Sequence, residues 1–176
     1  MPILYRQADV SDASALSVCA ARFFVESYQH VMERDELRDY VADFFTPDLQ
    51  QAEITDPRAT SFLAIENGII GYAQVVEGNL PDCGIDARKP AELKRIYVDH
   101  RWHGRGVAQE LLKLVQQEAQ RRACDQLWLA VWEINHRAIS FYSKNGFRVI
   151  GRQGFPIGNE VQSDHVMAVS LANELR

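Results

Sequence analysis

One stretch of this chain runs from a strand through a turn with two glycines into a helix. Residues 92–98 are strand-like, the turn reads RWHGRGVA at 101–108, and apolar residues then recur at helical spacing. Glycine lets the backbone approach a ligand closely because it has no Cβ. The first N–H groups of a helix lack an internal partner, and the helix dipole makes that end positive. The stretch therefore predicts a site for a phosphate or pyrophosphate.

Three kinds of nucleotide-binding motif contain such a turn. A dinucleotide fingerprint needs glycine or alanine at the sixth position of G-x-G-x-x-G, where this chain has Gln109. A P-loop needs Gly-Lys-Ser/Thr after four spacer residues, and the sequence contains no such run. The third motif, R/Q-x-x-G-x-G/A, binds the pyrophosphate of coenzyme A, and Arg101, Gly104 and Gly106 match it. At these residues the chain resembles the GNAT acetyltransferase superfamily.

A second motif strengthens the resemblance. Residues 135–147 read NHRAISFYSKNGF, which is similar to the N-x-x-A-I-x-F-Y-x-x-x-G-F segment of the same superfamily. The resemblance covers almost the whole chain and implies an α/β fold. Its central sheet is expected to be mixed and mostly antiparallel, with about six to seven strands splayed at the centre and about four to five flanking helices. It also implies direct transfer of an acetyl group from acetyl-CoA to a primary amine.

The order of predicted elements agrees with that fold. Helices are predicted over 12–29, 33–44, 47–54, 105–122 and between Asn135 and Asn145. Strands are predicted over 3–7, 60–66, 69–77, 91–98, 126–132, 147–154 and 164–171. Ser11 is the predicted cap of the first helix, and Asn67-Gly68 predicts a hairpin turn. Residues 78–90 show no periodicity and are predicted to form a surface loop within a single domain over 1–176.

The resemblance also assigns cofactor contacts. The amides at 103–108 are expected to bind the pyrophosphate, with charge added by Arg101 or Arg105. Backbone groups of the central strand are expected to pair with the pantetheine, and Lys144 is expected near a phosphate of the coenzyme. The full set expected to bind acetyl-CoA is Ile96, Tyr97, Val98, Arg101, His103, Gly104, Arg105, Gly106, Val107, Ala108, Asn135, Tyr142 and Lys144.

Two catalytic residues are expected on the same basis. Tyr142 matches the family tyrosine that donates a proton to the leaving sulfur, and a phenol with a pKa near 10 is protonated at neutral pH. An alkylamine has a pKa of about 10.4, so a group must accept its proton before it can attack. Glu92, four residues before Ile96, is the candidate base. The alternatives are a chain of waters as base and a solvated strand-end role for Glu92.

The acceptor is expected to be a small-molecule amine, and an acidic segment suggests which kind. Residues 26–56 contain nine acids and two bases, a net charge of −7, which would attract a polycation unless it is only a solvated helix face. Further likeness to spermidine/spermine acetyltransferases of the PaiA type lies at 24–40, 128–133, Phe155, Gly158, Gln162, Asp164 and Met167. A polyamine or diamine acceptor is therefore predicted, although the loop at 78–90 departs from that likeness.

Two alternative functions stay open at this point. One is acetylation of a peptide or protein N-terminus or of a xenobiotic amine. The other is a regulatory module that binds coenzyme A with little catalysis. The intact glycine turn and Tyr142 favour an enzyme.

Bulk properties narrow the partners and the compartment. The net charge of −5 disfavours nucleic acid as a partner. No apolar stretch approaches the roughly 18 residues of a membrane helix, and the N-terminus lacks a signal-peptide pattern, so a cytoplasmic protein without a membrane partner is expected. The three cysteines are widely spaced and the five histidines are scattered, which suggests neither a metal site nor a disulfide framework. A homodimer is expected by analogy with the superfamily.

Overall fold

The computed structural model describes residues 2–157 and 160–171. Seven strands form one sheet in this part of the chain: β1 (Leu4–Gln7), β2 (Ala59–Ile65), β3 (Ile69–Glu77), β4 (Pro90–Val98), β5 (Gln126–Trp132), β6 (Arg148–Ile157) and β7 (Glu160–Ser170). The α-helices are α1 (Ala13–Tyr28), α2 (Arg34–Phe44), α3 (Pro47–Thr55), α4 (Val107–Arg121) and α5 (His136–Lys144). These elements agree with the predicted fold class. Gly158 lies outside the described residues.

The strands are hydrogen-bonded in the order β1-β2-β3-β4-β5-β7-β6. The pairs β1–β2, β5–β7 and β6–β7 are antiparallel, whereas β4 and β5 are parallel, which confirms the predicted mixed sheet. The parallel pairing joins residues 90–92 to 126–128, the first three residues of each strand. This short pairing agrees with the predicted splay. Within the described residues, no helix has both the length and the apolar character that a membrane span requires.

The start of the first helix corrects the predicted cap. Ser11 does not cap it, because residues 10–12 form a 3-10 turn and α1 begins only at Ala13. The side-chain cap belongs to that turn: the Asp9 carboxylate accepts the Ser11 N–H at 2.8 Å, while the Asp12 carboxylate accepts the Asp9 N–H at 2.9 Å. Arg6 then binds both Asp12 oxygens at 2.7 Å. The reciprocal carboxylates satisfy two backbone donors, so they outcompete the single hydroxyl of Ser11.

Contacts group the chain into two compact units, 2–74 with 95–115 and 75–94 with the described residues from 116 onward. Aromatic rings fill the first unit. Tyr72 stacks near Phe23 and Tyr97, with ring centres 6.3 and 5.8 Å away, and Phe24 stacks on Tyr40 at 4.4 Å. The Tyr97 side chain belongs to this cluster. Because side chains alternate along a strand, the side chains of Ile96 and Val98 lie on the opposite face of β4.

In the second unit, a loop covers one face of the sheet. Trp128, Val166 and Ala168 are buried together, with Ala130 and Ile85 packed against them. Ile85 belongs to the irregular segment 78–89 between β3 and β4, so this segment covers the sheet face that carries Trp128. We call segment 78–89 the covering loop. The loop predicted at 78–90 is thus confirmed as irregular, apart from Pro90, which begins β4.

Candidate active site

The glycine turn of the first unit has the backbone shape that its sequence predicts. Gly104 and Gly106 have φ angles of 75° and 83°, a region that glycine occupies without strain. In the described part of the chain, a Cβ placed on either residue would meet no atom within 4 Å beyond the adjoining residues. The glycines are therefore needed for backbone conformation, and the space above the turn is open to a ligand.

The same turn presents unused backbone donors. The N–H groups of His103 and Arg105 donate within the turn, to His100 at 3.2 Å and Trp102 at 3.3 Å. In α4 the N–H of Glu110 bonds back to the Gly106 carbonyl at 3.1 Å. Among the described residues, the N–H groups of Gly104, Gly106, Val107 and Ala108 have no protein acceptor. Four of the six amides expected to bind pyrophosphate are thus available at the start of α4.

Asp99 anchors this turn, and it was not predicted from the sequence. Its fully buried carboxylate accepts the Arg101 N–H at 3.0 Å and the Arg101 guanidinium at 2.9 and 2.7 Å. Arg22 on α1 adds a contact at 2.8 Å. The hydrogen bonds from Arg101 are the main reason that the pKa of Asp99 lies well below its usual range. An aspartate two residues before the N–H it accepts is the local signal that identifies such a turn.

The two arginines expected at the pyrophosphate differ in their surroundings. Arg101 is engaged with Asp99, which offsets its charge, although its side chain is 66% exposed. The Arg105 guanidinium lies 5.1 Å from the centre of the Trp102 ring, and the residue is exposed. The charge of Arg105 is therefore less neutralised by a protein carboxylate than the charge of Arg101.

A side chain forms a hydrogen bond with the backbone at the end of β4. The Val98 carbonyl, expected to pair with pantetheine, accepts a hydrogen bond from His103 Nε2 at 2.8 Å. The Tyr97 ring packs on Tyr72, and burial raises the pKa of Tyr97 well above its usual value. Only the backbone of Tyr97 is therefore suited to a ligand. His103 joins the strand end to the glycine turn, a contact that spacing alone did not reveal.

Tyr142 of the second unit is held by neighbouring rings. It is 8% exposed, with the ring centres of Phe141 and Phe147 at 5.4 and 5.7 Å. At the start of the same helix, the exposed Asn135 accepts the Ala138 N–H at 3.1 Å, which confirms its capping role. Lys144 is exposed in the last turn of that helix. The packing gives the Tyr142 ring a defined orientation, as a proton donor requires.

Glu92 lies near the start of β4 and is not a freely solvated carboxylate. It is half-buried, and Asn79 Nδ2 donates to its Oε2 at 2.6 Å. The Asn79 carbonyl accepts the indole N–H of Trp128 at 2.9 Å. One residue of the covering loop thus holds both Glu92 and Trp128.

A second carboxylate lies on the same sheet face as Glu92. Glu92 pairs with Trp128, and Asp164 pairs with Trp132 on β5. Paired residues share a face, and residues four apart on a strand do too. Asp164 is 6% exposed, and burial raises its pKa, although a hydrogen bond from Gln162 at 2.8 Å opposes that shift. The sheet register places both carboxylates on one face, and this arrangement was not predicted from the sequence.

Comparison with known proteins identifies the family. Residues 21–147 match the model of the acetyltransferase (GNAT) family. The chain belongs to the GNAT family. An uncharacterised N-acetyltransferase of Mycobacterium tuberculosis is 30% identical over 167 residues, which cover 92% of this chain and 99% of that protein. As a GNAT enzyme, the protein is an acetyl-CoA-dependent N-acetyltransferase, as the two motifs predicted.

Two other known proteins are similar to this chain. A spermine/spermidine N(1)-acetyltransferase of Bacillus subtilis is 30% identical over 95 residues, which cover 53% of this chain and 61% of the relative. The structure of the PaiA N-acetyltransferase from Thermoplasma acidophilum with coenzyme A has a TM-score of 0.79, covering 97% of this chain and 99% of that one. At 19% identity, it shows the shared GNAT fold.

The chemistry of the glycine turn fits the co-substrate of a GNAT enzyme. Four unused N–H donors, a helix N-terminus and an exposed arginine suit a pyrophosphate.

In the described residues, no group of three or more His, Cys, Asp or Glu side chains is placed to hold a metal ion. Cys83 is exposed, Cys124 buried and Cys19 half-buried, and all three are free thiols.

Proposed function

We propose that this GNAT enzyme acetylates a primary amine of a polyamine or diamine. The observation that carries the proposal is the acidic segment 26–56, whose carboxylates outnumber its bases by seven. Similarity over about half of the chain to a spermine/spermidine acetyltransferase supports it. An acceptor with two or more ammonium groups matches such a surface.

Within the residues that the structure describes, arginines outside the acidic segment pair with three of its nine acids, Glu26, Glu53 and Asp56, and the other six are left with the segment's own bases or none. Arg38 is shared by Asp35 at 2.8 Å and Asp39 at 3.0 Å. Among the described residues, Asp43 and Asp48 are exposed and have no basic partner. A shared cation and unpaired carboxylates create a negative potential that a solvated face with alternating charges would not.

We assign two residues to the movement of protons. Glu92 accepts a proton from the attacking ammonium, directly or through water, because its half-buried carboxylate is already oriented by Asn79. The freed nitrogen lone pair attacks the thioester carbonyl carbon, and the C–S bond breaks. Tyr142 donates its phenolic proton to the leaving sulfur, and the resulting phenolate takes up the second proton that the nitrogen loses as the amide forms. The ring packing at Tyr142 supports that role because it limits the directions in which the hydroxyl points.

We also propose which residues bind acetyl-CoA. The N–H groups of Gly104, Gly106, Val107 and Ala108 would bind the pyrophosphate, with Arg105 adding charge. The backbone of Ile96 and Val98 would bind the pantetheine after His103 releases the Val98 carbonyl. Tyr97 would contribute backbone only, and Asn135 and Lys144 would contact the coenzyme at α5. Arg101 would act mainly through Asp99, by shaping the turn.

The test is release of free thiol from acetyl-CoA with a panel of acceptors. Spermidine, a diamine, a basic peptide and an aminoglycoside are compared at equal concentration. Turnover of spermidine or the diamine well above that of the others is the expected result. Good turnover of the peptide or aminoglycoside without turnover of any polyamine would refute the polyamine assignment. Tight binding of acetyl-CoA without turnover of any acceptor would indicate a regulatory module.

A further inference from the structure

Asp164 is a buried carboxylate for which the described residues supply no cation. It is 6% exposed and accepts one hydrogen bond, from Gln162 Nε2 to its Oδ1 at 2.8 Å. In the part of the chain that the structure describes, no Lys or Arg forms an ion pair with it. A carboxylate with so little solvent and so few donors is costly to keep ionised.

The charged groups around Asp164 do not remove that cost. Glu133 at the end of β5 adds negative charge, and it is held by Ser163 at 3.1 Å and Arg152 at 3.4 Å. His165, the next residue on β7, has a buried Nδ1 without a partner. Arg152 is thus committed to Glu133, and the imidazole supplies only a weak attraction to Asp164. A cationic ligand would complete the site.

The sheet register relates this carboxylate to Glu92. Glu92 pairs with Trp128 and Asp164 with Trp132, on a common face of β5. The two tryptophans are four positions apart on β5, so the acids lie roughly 13 Å apart along the strand direction. Trp132 pairs directly with Asp164, and its half-buried indole suits both alkyl chains and ammonium groups. Two carboxylates on one face, with an indole beside one of them, match a linear molecule with an amine at each end.

We propose that Asp164 binds the second ammonium group of a diamine or polyamine while its reacting amine lies at Glu92. This inference rests on the proposed function and makes Asp164 a residue that determines specificity. It explains why a carboxylate is retained at a buried position without a protein cation. It also predicts that the enzyme distinguishes acceptors by a second charge at a suitable distance.

The test compares diamines with monoamines. The variant Asp164→Asn keeps the shape of the side chain and removes its charge. The matched control is Asp86→Asn, which removes the same charge from an exposed position on the covering loop. Acceptors are a series of α,ω-diamines of increasing length and the n-alkylamines of equal carbon number, assayed with saturating acetyl-CoA.

We expect Asp164→Asn to lower kcat/KM for the best diamine by about ten- to a hundredfold, as is typical for loss of a hydrogen bond to a charged group. Monoamine turnover and the Asp86→Asn variant should be unchanged. Unchanged diamine turnover in Asp164→Asn, or equal losses for both acceptor types, would overturn the inference alone. Wild-type enzyme that acetylates a peptide but no diamine would overturn the proposed function and this inference together.

A binding measurement separates ligand recognition from folding. Burial raises the pKa of Asp164, so this group weakens folding as pH rises from its unfolded value of about 3.9 through the folded value. Asp164→Asn should therefore unfold at a Tm no lower than wild type at neutral pH. With coenzyme A present, the diamine should raise the Tm of wild type and of Asp86→Asn but not of Asp164→Asn. An equal diamine-induced shift in all three proteins would contradict the proposal.

Discussion

The Tyr142 hydroxyl is the group to which the proposed mechanism assigns protonation of the leaving sulfur. Tyr142→Phe keeps the ring between Phe141 and Phe147 but removes this proposed proton donor. We expect kcat to fall by about 10²-fold or more, as for other general acids, while KM for acetyl-CoA changes little. Steady-state kinetics with thiol detection measures both.

A matched control exists for this substitution. Tyr72 is also a buried tyrosine, at 1% exposure, and its hydroxyl has no hydrogen-bond partner among the residues that the structure describes. Tyr72→Phe should leave kcat unchanged and should not lower the Tm, because it removes an unsatisfied buried group. Unaltered kcat in Tyr142→Phe would show that another group protonates the sulfur.

Residues in local motifs were predictable, and residues placed by tertiary contacts were not. Gly104, Gly106 and Asn135 follow from turn and cap chemistry, which depends on neighbours along the chain. Asn79 and Asp164 gain their roles from strand register and from a loop folded over a sheet. No spacing in the sequence encodes those contacts, and Asp164 was singled out only by its resemblance to the PaiA type, without a role.

At the level of elements, the turn before α4 is the feature most open to test. Gly106→Ala forces alanine into a left-handed conformation with φ near 83°, which costs about 1–2 kcal/mol. The same change at Gly78, with φ of 85° and equally open space, should cost a similar amount. Only Gly106→Ala should weaken binding of coenzyme A, as measured by calorimetry. Equal affinity in both variants would contradict the pyrophosphate role of the turn.

Asp99 should contribute both to the stability of the fold and to the binding of acetyl-CoA. Its pKa and that of Asp12 are both lowered, chiefly by hydrogen bonds from Arg101 and Arg6 respectively. Each carboxylate therefore stabilises the fold above its unfolded pKa of about 3.9, and that contribution is lost as pH falls through the folded value. Asp99→Asn and Asp12→Asn should each cost about 1–3 kcal/mol in the free energy of unfolding at neutral pH.

The two variants should differ in function. Asp99→Asn frees the residues that precede the glycine turn, so KM for acetyl-CoA should rise. Asp12→Asn disturbs only the start of α1 and should leave KM unchanged. Urea unfolding at several pH values and steady-state kinetics measure the two effects. A rise in KM in both variants would mean that general destabilisation, and not the turn, is responsible.

Most elements followed from periodicity, and the errors lie at their ends. The hairpin at Asn67-Gly68 was predictable because both residues need positive φ, and both have it, at 53° and 128°. The start of α1 was not, because the capping box depends on two aspartates acting together. The long strands β6 and β7 extend beyond their predicted bounds, since pairing with each other stabilises residues without a strong strand pattern.

For the molecule as a whole, charge sets the expected response to salt. The net charge of −5 and the excess of acids at 26–56 should attract cationic acceptors over several ångströms. Raising the ionic strength shortens that range, to a Debye length of about 8 Å at physiological salt. We expect kcat/KM for spermidine to fall with salt while kcat changes less.

A double variant tests whether the acidic segment causes this salt dependence. Replacing Asp43 and Asp48 by Asn removes two exposed charges from the acidic segment and should flatten the salt dependence for spermidine. An n-alkylamine, with one charge, should show a weaker dependence in both proteins. A spermidine kcat/KM that is independent of salt would refute a role for this surface in attracting the acceptor.

Thiol release from acetyl-CoA across the amine panel distinguishes a polyamine acetyltransferase from an enzyme that acts on another class of amine. We expect spermidine and a diamine to be acetylated with a much higher kcat/KM than a basic peptide or an aminoglycoside. Preferred acetylation of the peptide or the aminoglycoside, with no turnover of either polyamine-type acceptor, would contradict this expectation.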